Sequence, residues 1–224
     1  MPSYAVLYTG YMENLLISTE HLDKIKKWLG SGSINIFGLP FAGKDTHGRE
    51  LAQLFDAPLL SSGEVFRNSE LTVKDQETLD AGILMPTDLF FKLLTPYFSK
   101  EEFAGRPLIL SSVGRWIGEE ERVMAAAEAS GHAIKAVIYL HLKEATVYER
   151  QAASKSIGDR GDRPEDAVHI LETRIHEFNE KTIPVIDVYR DKGLLIEVDS
   201  DASKSEVLKS ILARLFMVAS TSSE

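Results

Sequence analysis

The stretch Gly38-Leu39-Pro40-Phe41-Ala42-Gly43-Lys44-Asp45-Thr46 constrains this chain more than any other. Before it, Ser33-Ile34-Asn35-Ile36-Phe37 is a short apolar run that reads as a buried strand. After it, Leu51, Leu54 and Phe55 recur at helical spacing. A strand, a glycine-bounded loop ending in lysine, and a helix form an anion-binding unit. Glycines at 38 and 43 let the backbone curl so that successive N–H groups point inward at a phosphate. The helix beginning at Lys44 adds the positive end of its dipole, and the Lys44 ammonium reaches the outer phosphates. Such loops usually carry Ser or Thr directly after the lysine, to hold magnesium. Here that place is Asp45, and the hydroxyl comes one residue later, at Thr46.

Bulk properties narrow the partners. The 224 residues suit one domain with a substantial core. A formal charge of −9 argues against nucleic acid or an anionic membrane as the main partner, and local arginines are enough for a nucleotide. Cysteine is absent, which removes disulfides and thiolate metal sites and is compatible with a reducing compartment. No apolar stretch is long enough to span a bilayer, and Met1 to Leu16 lacks the basic start of a secretion signal. The expectation is a soluble, cytoplasmic protein.

Along the chain, short apolar strands alternate with helices. Residues 1–32 form an N-terminal extension. In it, Tyr4 to Tyr8 reads as an edge strand, and Ser18 or Thr19 caps a helix with Leu22, Ile25, Trp28 and Leu29 on one face. This is a packing extension or an oligomer contact. Further strands are expected at Ala57–Leu60, Pro107–Leu110, Ile134–Leu142 and Leu194–Val198. Helices are expected at Leu89–Leu94, Glu119–Ser130, Ala145–Ala153, Ala167–Phe178 and Glu206–Phe216, with another short one starting at Pro184 and a frayed tail from Ser220. Five strands alternating with helices imply an α/β fold with a parallel sheet in three layers. Polar stretches follow two of these strands, Ser61 to Arg67 and Ser111 to Trp116, and the polar 154–166 segment with Arg160 and Arg163 follows the helix after the fourth. An open α/β sheet places ligands at that edge. The six histidines show no ligand spacing with carboxylates and read as structural or solvated.

The order of these signals resembles the adenylate kinase family of nucleoside monophosphate kinases over residues 33–216. The family's Gly-x-Pro-Gly-x-Gly-Lys-Gly-Thr loop is matched by Gly38, Pro40, Gly43, Lys44 and Thr46. Its Ser-Thr-Gly-Asp-x-x-Arg is similar to Ser61-Ser62-Gly63-Glu64-Val65-Phe66-Arg67, and its Asp-Ala-Gly-x-Leu-Val to Asp80 through Met85. The family's Asp-Gly-Phe-Pro-Arg falls on Ser111-Ser112-Val113-Gly114-Arg115, where the arginine alone survives. Its lid arginines are matched by Arg150, by Arg163 in Arg163-Pro164-Glu165-Asp166, and by Arg174. The resemblance implies a P-loop NTPase fold with a five-stranded parallel sheet, a small acceptor-binding insert at about 61–90, a short lid at about 151–166 and a tail at 217–224.

The resemblance also implies an activity: transfer of the ATP γ-phosphoryl to a nucleoside monophosphate, AMP foremost, with Mg2+ accompanying ATP. The donor phosphates then fall to Gly38, Pro40, Phe41, Ala42, Gly43, Lys44, Asp45 and Thr46. The acceptor falls to Ser62, Gly63, Arg67, Gly82, Leu84, Met85, Arg115 and Glu119. Lys44, Arg115, Arg150, Arg163 and Arg174 carry the transfer, because arginine meets phosphate oxygens with two permanently charged donors. Asp45 and Thr46 are the candidate metal-side residues. Asp45 either supplies the carboxylate that Ser111 lacks or merely caps its helix. Glu119, where the family has a base-reading glutamine, either favours a donor-rich base such as guanine or is one of three acids in a first helical turn. Trp116 stacks on a base or packs. The alternatives are a P-loop kinase for GMP or another small acceptor, and a catalytically silent nucleotide-binding module. A monomer or weak dimer is expected.

Overall fold

The structure is a computed structural model that describes residues 18–157 and 167–221. Its five strands are β1 (Ser33–Gly38), β2 (Leu59–Ser61), β3 (Leu108–Ser111), β4 (Ile134–His141) and β5 (Leu195–Asp199). They pair in the order β2-β3-β1-β4-β5, and every pairing is parallel. All six residues of β1 are buried, so both faces of the sheet are covered. That is why the strand reads as a continuous apolar run rather than an alternating one. The chain leaves β1 for β2 and β3 on one side and returns to β4 and β5 on the other. The crevice at the C-terminal end of β1 is therefore the switch point where such sheets bind ligands.

Two strands led by proline, β2 and β3, start after the proline, which has no N–H to give to the ladder. Helices α1 (Thr19–Leu29) and α2 (Lys44–Phe55) flank β1 in sequence. Ser18 caps α1, accepting the His21 N–H at 3.2 Å, and Leu22, Ile25 and Leu29 are buried. Beyond β2 come α3 (Ser62–Arg67), α4 (Val73–Asp80) and α5 (Thr87–Phe98). The expected helix at 89–94 is thus longer at both ends and runs past Pro96, because Leu94 and Phe98 both bury their side chains.

After β3 and β4 stand α6 (Glu119–Ala129) and α7 (Glu144–Ile157), so the polar stretch expected as a loop from 154 begins as helix. Then α8 (Val168–Glu177) passes through one π-helical turn, Phe178–Thr182, into α9 (Ile183–Asp191). Finally α10 covers Lys204–Thr221. The fraying expected from Ser220 is not seen at 220 and 221. Ala219 is fully buried, and the Ser220 hydroxyl donates to the Phe216 carbonyl at 2.7 Å. Helix α1 packs on α10, with the His21 and Phe216 rings 4.1 Å apart, so residues 18–29 serve as a docked extension. The expected strand at Tyr4–Tyr8 lies outside the described residues. Among the described residues, no helix is long and apolar enough to cross a membrane.

Candidate active site

A cleft of about 690 Å³ opens at the C-terminal edge of the sheet, bounded by the phosphate loop, α3, the 82–85 segment, the turn after β3, α8 and the 200–204 segment. The loop after β1 is shaped by close packing. A Cβ on Gly38 would lie 2.8 Å from the Leu140 carbonyl oxygen, and Gly43 sits at φ 92°. Phe41, at the place of the second family glycine, keeps a left-handed φ of 62°. The loop geometry therefore survives the loss of that glycine at a conformational cost. The Lys44 ammonium donates to the Gly38 and Leu39 carbonyls at 2.9 and 2.8 Å, which holds it along the rim of the loop.

Asp45 and Ser111 face one another, with the Ser111 hydroxyl donating to Asp45 Oδ1 at 3.1 Å. A carboxylate thus stands within hydrogen-bond reach of the end of β3, supplied from the neighbouring loop. Thr46 lines the same part of the cleft. These are hard oxygen donors at a helix N-terminus, a set suited to Mg2+ carried mainly by nucleotide phosphates and water. Among the described residues there is no cluster of three or more His, Cys, Asp or Glu able to hold a metal ion alone.

The turn after β3 is held from below and above. Buried Asn35 in the middle of β1 donates to the Val113 carbonyl at 2.7 Å and accepts the Val113 N–H at 3.3 Å. Ser112 takes a left-handed φ of 56°, and its carbonyl accepts the Ser62 hydroxyl at 2.8 Å. Arg115 then projects into the cleft, its Nε donating to Thr182 Oγ1 at 3.4 Å across the π-helical turn. Burial, and then the nearby Arg174 guanidinium, pull Arg115 down to about 10, while Glu177 and Glu119 act in the opposite direction. It remains a cation at neutral pH. Two guanidiniums brought together at a partly enclosed spot define an anion site.

The 82–85 segment docks on α8. The Leu84 N–H donates to Glu177 Oε2 at 3.0 Å, and a Cβ on Gly82 would lie 2.6 Å from Arg174 Cγ. Lys181 bonds the same Glu177 oxygen at 2.6 Å and lies 4.2 Å over the Trp116 ring. Gly63, Arg67, Met85 and Glu119 also line the cleft. Glu119 is 2% exposed and already bonded: Thr87 Oγ1 donates to one oxygen at 2.7 Å, and the Arg115 and Trp116 N–H groups donate to the other at 2.8 and 3.1 Å. Arg150 also lines the cleft, and its guanidinium donates to the Phe41 and Ser200 carbonyls. Arg160 and Arg163 lie outside the described residues.

Sequence reasoning missed several wall residues. Arg49, one turn beyond Lys44, lines the cleft, as do Ser200, Ala202, Ser203 and Lys204 beyond β5. The polar run at the end of the fifth strand was the available signal for the latter group. His47, read as structural or solvated, is buried, and its Nδ1 lies at hydrogen-bond distance, 2.8 Å, from Glu50 Oε2, three residues on along α2.

Comparison with known proteins agrees with this geometry. The family model described as adenylate kinase matches residues 36–194. An adenylate kinase of Caulobacter sp. (strain K31) is 32% identical over 82% of this chain and 98% of its own length. One from Clavibacter michiganensis subsp. michiganensis is 32% identical over 80% of this chain and 90% of its own. Adenylate kinase 2 of Synechocystis sp. is 29% identical over 80% and 98%. A solved gluconokinase from Sinorhizobium meliloti 1021 shares the fold, with a TM-score of 0.59 at 17% identity over 85% of this chain and 94% of that one. The chain belongs to the adenylate kinase family, and it is a phosphotransferase built on the P-loop kinase fold.

Proposed function

We propose that the protein moves the terminal phosphoryl of ATP to AMP, reversibly, giving two ADP. One observation carries this reading: a single cleft has the phosphate loop at one end, the acceptor-type segments at the other, and Arg115 beside Arg174 near the acceptor segments. A relative's name supports AMP in particular, since the curated relatives quoted above are adenylate kinases.

In this reading the loop amides and Lys44 hold the donor phosphates. Arg67 and Arg115 hold the acceptor monophosphate, and Arg174 draws the transferred group's charge. An oxygen of the AMP phosphate attacks the γ-phosphorus of ATP in line. The bond from that phosphorus to the β,γ-bridging oxygen breaks, and ADP leaves with the electron pair. The protein forms no covalent bond. It supplies position and fixed positive charge where negative charge spreads. Arg150 braces the phosphate loop against the segment after β5 through the carbonyls it bonds. Mg2+ would neutralise charge on the donor phosphates, with Asp45 and Thr46 the residues that face it or its water. A cleft closed against water favours transfer over hydrolysis.

The test is to incubate the protein with magnesium-ATP and each of AMP, GMP, CMP, UMP and dTMP, then separate the nucleotides. ADP rising two for each AMP consumed supports the reading. ATP bound but unconsumed with every acceptor would overturn it.

A further inference from the structure

We propose that Glu119 is a positioning residue, a buried latch between the turn carrying Arg115 and the start of α5, rather than a reader of the acceptor base. The inference rests on the reading of the cleft given above. Thr87 lies 32 residues before Glu119 and opens α5, in the acceptor part of the chain. Glu119 opens α6. Their bond therefore ties two separate elements of the acceptor wall together, while the other oxygen gathers two consecutive amides, those of Arg115 and Trp116.

Chemistry argues that this carboxylate is committed. An ionised carboxylate withdrawn from water needs strong donors to offset its lost hydration, and here three converge on it. One oxygen accepts from two consecutive backbone amides. Releasing it would strip those two N–H groups of their partner in a half-buried turn. The turn itself has little freedom to follow. Gly114 stands at φ 76°, and a Cβ there would fall 2.9 Å from Val123 Cγ2. The latch thus fixes the backbone from which Arg115 reaches the acceptor, and it keeps a negative charge beside that guanidinium.

Glutamine can satisfy the same three partners. Its carbonyl oxygen accepts both amides, and its NH2 group donates to the Thr87 hydroxyl oxygen. Alanine satisfies none. Positioning and base reading therefore predict different results for Glu119→Gln.

The experiment measures initial rates of the whole protein with AMP and with GMP at saturating magnesium-ATP, beside amide hydrogen exchange of Arg115 and Trp116 without nucleotide. For Glu119→Ala the acceptor KM should rise about 10- to 100-fold, the ATP KM should stay within about twofold, and the two amides should lose protection. Glu119→Gln should restore the acceptor KM to within about threefold of wild type, keep the same order of AMP and GMP, and protect both amides. Thr87→Val, which keeps the shape but removes one donor, should raise the acceptor KM about three- to tenfold with the amides still protected. It stands in if Glu119→Ala does not fold. A reversed or levelled AMP-to-GMP preference in Glu119→Gln would overturn the proposal, as would unchanged amide protection in Glu119→Ala. Wild type that phosphorylates no monophosphate would instead sink the kinase reading, and the exchange data would still decide whether the latch exists.

Discussion

At the proposed donor end of the cleft, Lys44 rests its ammonium on two carbonyls of its own loop, and the loop is built from backbone within nine residues of sequence. At the proposed acceptor end, Arg115 depends on Asn35, Glu119, Glu177 and Thr182, drawn from four other elements or turns. The first arrangement can lose its charged side chain and keep its shape. The second gives up more, because losing its guanidinium removes a hydrogen bond to Thr182 and the positive charge beside the buried Glu119 and Glu177. Binding and folding are therefore separable at the donor end and joined at the acceptor end.

The sharpest way to break this contrast is a pair of variants. Lys44→Ala should lower kcat by about a thousandfold with the melting temperature close to wild type. Arg115→Ala should lower turnover by about a hundredfold and also cost on the order of 2 kcal/mol of stability, measured by urea unfolding. Equal stability loss in the two variants would erase the distinction between the ends.

Asp45 tests whether the donor end has taken over a role from the acceptor-side strand. Asp45→Ala should lose magnesium-dependent turnover by about ten- to a hundredfold, whereas Asp45→Asn should still bind nucleotide, read by calorimetry. Unchanged turnover in the alanine variant would leave Asp45 as a helix-terminus acid only. The smallest effect is expected at Ser112. Its left-handed φ suits glycine, so Ser112→Gly should change stability by less than about 1 kcal/mol, toward stabilisation. A clear destabilisation would mean that the Ser112 side chain makes a contribution the backbone argument omits.

The same contrast explains what the sequence disclosed. The phosphate loop was legible because its strand, glycines, lysine and helix are contiguous, and so was the alternation that gives the parallel sheet. Glu119 looked like a base reader or a first-turn acid, and its partner Thr87 could not be seen from a local pattern. Asn35 read as one residue of a buried strand, though it is the peg that holds the turn after β3. The left-handed conformations of Phe41 and Ser112 were hidden for another reason: neither residue type announces a positive φ. The run past Pro96 in α5 shows burial of Leu94 and Phe98 overriding a local breaker.

In the proposed reaction one cleft holds a donor and an acceptor nucleotide together. This is tested most directly by supplying ADP alone with magnesium, so that ADP must fill both ends. ATP and AMP should appear in equal amounts, with Lys44→Ala and Arg115→Ala each suppressing both products. AMP and inorganic phosphate without ATP, or ADP left unchanged, would contradict it.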